Sequence, residues 1–172
     1  DIRAINLKKG PVILCGPADK KVGDVKFAIS NGEKVEKEFN FAAALLHSFE
    51  YDEAEKVFAG IIEKEPGCAM AYWGVAMSNF HPLWAQPTKE ELEKGSQIIS
   101  LARSLKAKSR KESDYLEAAG TMYDDWNTLD HQTRILKFEK AAEKIYLGYP
   151  EDREAAIFYA LALRAAADPA DK

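Results

Sequence analysis

Residues 39–47 reappear, shifted by 34 positions, as residues 73–81: Phe39 falls on Trp73, Ala42 on Ala76, Ala43 on Met77, Leu46 on Phe80 and His47 on His81. An offset of that size confines the chain to architectures that stack similar units, because one such unit cannot bury its own apolar face. The local periodicity identifies the unit. Phe39, Ala42, Leu45, Leu46 and Phe49 recur at three- and four-residue spacing, and so do Ala54, Val57, Phe58, Ile61 and Ile62 in "DEAEKVFAGIIEKEP". Each set makes the apolar stripe of a helix. The charged turn "EYDEAE" separates them and Pro66-Gly67 stops the second, so the unit is a helical hairpin.

The pattern continues to the end of the chain. "CAMAYWGVAMSNFHPLW" is a third helix, with Met70, Trp73, Met77 and Phe80 placing large apolar surface on more than one face. Pro82 is expected to end it and Trp84 to anchor an enlarged turn. In "AQPTKEELEKGSQIISLARSL", Thr88 and Glu91 have the spacing of a capping box. "SRKESDYLEAAGTMYDD" pairs with "LDHQTRILKFEKAAEKIYLGYP", where Asp130 reads as a helix cap, and "EDREAAIFYALALRAAA" forms a last helix without a partner.

Within the first hairpin Ala42, Ala54, Phe58 and Pro66 stand where tetratricopeptide repeats carry their small contact residue, second small residue, aromatic and terminal proline, and the 34-residue offset is the period of that family. The chain resembles a tetratricopeptide-repeat protein, of a bacterial group with largely unassigned function. "HPLWAQP" then reads as an insertion of roughly seven residues in the second repeat. In the third repeat, Phe138 and Ala142 exchange the usual small and large places. The resemblance implies an all-α fold, a right-handed superhelical stack of about three and a half repeats over residues 35–172, with residues 1–34 as a short extended or β segment packed on it. It also implies further repeats after such a segment, and export to the periplasm or cell surface in preference to the cytoplasm.

In that family the first helix of each pair lines a concave groove. Carried over by position, the groove residues include Phe39, Leu46 and His47, then Met70, Trp73, Met77, Phe80 and His81, then Leu116 and Tyr123. What the resemblance implies is a non-catalytic scaffold that holds a protein or peptide partner. A surface rich in methionine and aromatic side chains suits adaptable apolar recognition. Phe39, Ala43, Trp73 and Met77 occupy the places where carboxylate-clamping members carry Lys, Arg and Asn, which argues against chaperone-tail binding.

Two other readings stand beside this one. The first 35 residues carry short β-branched runs around Val12 to Leu14 and Val25 to Ile29, punctuated by Gly10, Pro11, Gly23 and Asn31-Gly32. Such strands need something to pack against, so this segment could fill the groove as a built-in ligand. Alternatively, His47 and His81 on adjacent helices could begin a metal or small-molecule site, or serve an enzyme, with Cys68 or Asp124 as conceivable further metal ligands. No HxxxH or CxxC spacing supports the second, and no cofactor is called for.

Composition removes several classes. A net charge of −4 with no Lys/Arg-rich block offers no footprint for nucleic acid. The longest nearly uncharged run is interrupted by Arg164 and falls short of the roughly 20 residues that span a bilayer. "CGPADKK" lacks the GK[ST] ending of a phosphate loop, there is no GxSxG, and three histidines leave little for a triad, so catalysis is not expected. Cys15 and Cys68 allow at most one bridge. The chain opens at Asp1 without methionine, so a preceding segment is expected to have been removed.

Overall fold

The computed structural model of the protein describes residues 2–14, 21–83 and 85–167. Cys15 and Trp84, and with them the proposed bridge and the turn anchor, lie outside the described residues. Among those described, all regular structure is helical: a single 3-10 turn at Ile2–Ala4 and seven α-helices. These are α1 (Glu33–His47), α2 (Tyr51–Lys64), α3 (Ala69–Ser78), α4 (Lys89–Ser104), α5 (Arg110–Gly120), α6 (His131–Gly148) and α7 (Arg153–Ala166).

Packing follows chain order. Each odd helix pairs with the even helix after it, each even helix packs on the next odd one, and α1, α3 and α5 also touch in sequence. This is the neighbour-to-neighbour contact pattern of a helical repeat stack. α3 lies at its centre, packed by α1, α2, α4 and α5, and every residue of Ala69–Ser78 is buried. Its apolar surface faces in several directions because it has neighbours on several sides. Gly74 is required there, since a Cβ would lie 2.4 Å from the Phe58 ring of α2.

Helix ends are set by local chemistry. Thr88 and Glu91 form the expected capping box, and Asp130 accepts the Thr133 N–H at 2.7 Å to start α6. α3 stops at Ser78, ahead of Pro82. There the Ser78 hydroxyl donates to the Gly74 carbonyl and the Asn79 amide to the Val75 carbonyl, side-chain bonds that compete with continuation of the helix. His81 is therefore a loop residue, whereas His47 is the last residue of α1.

The expected N-terminal strands are corrected: residues 11–14 and 21–29 carry no regular secondary structure, and no strand is formed among the described residues. A strand needs a backbone partner, and here side-chain oxygens of the helices take that place. Glu55 accepts from Lys8 N–H, Glu53 from Ile13, Asn40 from Phe27, Glu36 from Ile29 and Glu112 from Ser30, at 2.7 to 3.3 Å. Glu55 and Glu112 are themselves buried; Glu55 also receives Lys94 at 2.6 Å and Asn79 at 3.0 Å. Buried carboxylates with several donors meet the cost of their desolvation, and here they pin an otherwise unpaired backbone.

Candidate functional site

The odd helices present one aromatic side chain each to a common centre: Phe39 from α1, Trp73 from α3, Tyr115 from α5 and Phe158 from α7. Phe27, from the extended segment, inserts among them. Its ring centroid lies 5.4 Å from Phe39, 5.5 Å from Trp73, 4.9 Å from Tyr115 and 6.5 Å from Phe158. Edge-on and tilted ring contacts of this kind add to the burial itself. Phe27 is 1% exposed, and Lys111 sits 5.9 Å over its ring. At this level the shared face of the odd helices is closed by the chain's own N-terminal segment.

Beyond the aromatic centre the face opens into a cavity of about 550 Å³ between the end of α1, the loop after α3, and α7. That volume lies in the range of ligand pockets. Leu46, Met77, Phe80 and Phe158 give it apolar walls, Gly23, Asp24 and Val25 of the extended segment form one side, and Phe49 and Tyr51 stand at the mouth. Phe49 has φ 60°, a left-handed conformation that a bulky side chain seldom adopts, and its neighbouring turn is held by Phe49 N–H to the Leu46 carbonyl and Glu50 N–H to the Leu45 carbonyl. Burial pushes the Tyr51 phenol up to about 12.

Among the polar groups of the cavity, His47 and Glu154 form a pair, Nε2 to Oε2 at 2.7 Å. The His47 ring lies 5.2 Å from that of Phe158. Glu154 is buried in the first turn of α7, where the helix dipole favours a negative charge. Arg164, near the other end of α7, is exposed at the rim.

The residues singled out from sequence separate into groups. Leu46, His47, Met77 and Phe80 line the cavity. Phe39 and Trp73 meet Phe27 instead. Tyr123 is turned into the packing between helices, its hydroxyl donating to the Ala76 carbonyl and its ring filling the space that Gly95 leaves. Met70 and Leu116 are buried, and it is Tyr115, adjacent to Leu116, whose ring reaches Phe27. His81 faces a neighbouring cleft, 4.8 Å from the Tyr51 ring and 3.7 Å from a Glu91 oxygen.

The two histidines thus have separate partners. Asp124 is engaged by Arg103 at 2.7 Å, and Cys68 is a buried unbridged thiol that burial pushes up. No cluster of three or more His, Cys, Asp or Glu suited to a metal occurs among the described residues. Sequence reasoning missed Phe27, Tyr115, Phe158 and Glu154 as members of the site. The signal available for the two helix rings was their order on the odd helices, 42 residues from Trp73 to Tyr115 and 43 from Tyr115 to Phe158, against 34 in the first step. No described helix is long and apolar enough to cross a membrane. No family model, curated protein or solved structure matches the chain.

Proposed function

We propose that the protein is a non-catalytic interaction module of the tetratricopeptide type, whose odd-helix face is the concave groove of a right-handed superhelix. In this reading its own residues 21–30 fill the aromatic half of the groove, and the other half receives an apolar segment of a protein or peptide partner. The observation that carries it is the open cavity bounded by Leu46, Met77, Phe80 and Phe158. The 34-residue offset and the order of helix contacts support the repeat assignment. Methionine and aromatic walls adapt to different apolar side chains, and the left-handed Phe49 at the mouth is the kind of backbone strain that concentrates at ligand sites.

The reading is tested by methyl-detected NMR of the intact chain with short capped peptides containing leucine and phenylalanine. Shifts confined to the methyls of Met77, Leu46 and Leu161, abolished by Leu161→Arg at the cavity wall, are expected. Peptides that leave these methyls unmoved at millimolar concentration overturn it.

The filled aromatic centre favours a second role for the segment itself, as a built-in ligand that holds four helices together. The two roles are compatible, because Phe27 and the open cavity occupy different parts of one face.

A further inference from the structure

The open cavity is mostly apolar, and Glu154 is the buried carboxylate in its lining. Glu154 is 5% exposed. An ionised carboxylate can accept about four hydrogen bonds, and taking it from water is costly unless donors replace the water. His47 Nε2 partners Oε2 at 2.7 Å. The other oxygen, Oε1, has no hydrogen bond among the described residues, and it is not among the solvent-sealed unpartnered atoms. It therefore keeps access to solvent, and Glu154 lines the cavity. The position of Glu154 in the first turn of α7 suits a negative charge, because the helix dipole is positive there.

The surrounding charges point the same way. The cavity is lined by two carboxylates, Glu154 and the exposed Asp24, against one guanidinium, Arg164, and no lysine. Arg164 is ten residues further along α7, about 15 Å at the helical rise, and exposed, so it does not neutralise Glu154. Phe158, whose ring lies 5.2 Å from that of His47, also lines the cavity, and an aromatic face attracts cations.

We infer that the partner segment carries a basic side chain beside apolar ones: its cationic head donates to Glu154 Oε1, and its apolar neighbours lie against Leu46, Met77 and Phe80. The inference rests on the peptide-binding reading and adds the charge of the anchor. A lysine or arginine stem suits a cavity of this kind, being apolar along its length and charged at its tip.

The test compares three capped tripeptides, Phe-Lys-Leu, Phe-norleucine-Leu and Phe-Glu-Leu, added to the unmodified protein and followed by the Met77 methyl and the His47 ring resonances. Norleucine keeps the lysine stem and removes only the ammonium group. The lysine peptide is expected to bind at least tenfold more tightly than the norleucine peptide. Glu154→Gln should abolish that preference.

If the norleucine peptide binds as tightly as the lysine one, the cationic anchor is overturned while the apolar site stands. Preference for the glutamate peptide overturns it as well and makes Arg164 the selecting group. If none of the three shifts Met77, both readings fall together. Should Glu154→Gln fail to fold, the lysine and norleucine comparison on the unmodified protein still decides.

Discussion

Gly60 and Gly74 both lie in helix interiors, yet replacing them should move stability in opposite directions. A Cβ on Gly60 meets nothing within 4 Å, so Gly60→Ala gains the helix propensity of alanine, about 0.5–1 kcal/mol. A Cβ on Gly74 meets the fully buried Phe58 ring, and overpacking of about 1–3 kcal/mol exceeds the same gain. Urea denaturation of the two variants should therefore bracket the parent protein. His131 provides a residue-scale prediction in pH. Burial first, and Arg134 second, hold its imidazole below the ordinary histidine range, while Asp130 acts in the other direction. Its Nδ1 is buried without a partner. The unfolded chain, with a histidine pKa of about 6.5, therefore takes up a proton that the folded chain resists. Stability from this group is complete above about pH 6.5 and is lost as pH falls towards the depressed folded value. Denaturation midpoints at pH 7.5 and 5.5 should differ less in His131→Asn than in the parent; an unchanged difference would refute the assignment.

The helix α4 shows how far an element can be read from its own sequence. Thr88 Oγ1 accepts the Glu91 N–H at 3.2 Å and Glu91 returns a carboxylate to the Thr88 N–H at 2.8 Å. Thr88→Ala should cost about 1 kcal/mol, with faster hydrogen exchange at the Leu92 and Glu91 amides as the local readout. The cap was legible because both partners lie within four residues. The same holds for Asp130 and for the apolar stripes of α1 and α2, whose contacts are written in their spacing. The extended N-terminal segment was not legible in this way. Its β-branched runs suit extended backbone, but what completes an extended backbone is non-local. Here Glu112, distant in sequence from Ser30, and Glu55, distant from Lys8, supply the acceptors that a neighbouring strand would have given. Nothing in a short window marks those glutamates as buried. The end of α3 failed for a related reason, because Pro82 is a visible stop signal while the Asn79 amide acts earlier and also reaches Glu55.

At the scale of the whole molecule, Phe27 is the point where the sequence-local and non-local parts meet. Its ring touches one aromatic residue from each of α1, α3, α5 and α7, including α7, which packs mainly on α6. A stack held only by nearest neighbours loses its ends independently of its middle. A side chain that contacts all four odd helices couples the ends to each other. Phe27→Ala removes a fully buried aromatic and should cost about 3–5 kcal/mol. The coupling predicts how the loss is expressed: circular dichroism and tryptophan fluorescence should shift together to a lower midpoint, in a single transition. If the segment were a detachable strap, fluorescence would change as Trp73 became exposed, while the helical transition stayed where it was. The same variant also bears on the cavity, because Gly23, Asp24 and Val25 form one of its sides only a few residues before Phe27. Releasing the ring releases that wall, so peptide binding should weaken in Phe27→Ala even at temperatures where the helices remain intact. Binding that survives unchanged would mean that the rest of the lining shapes the site without the N-terminal segment.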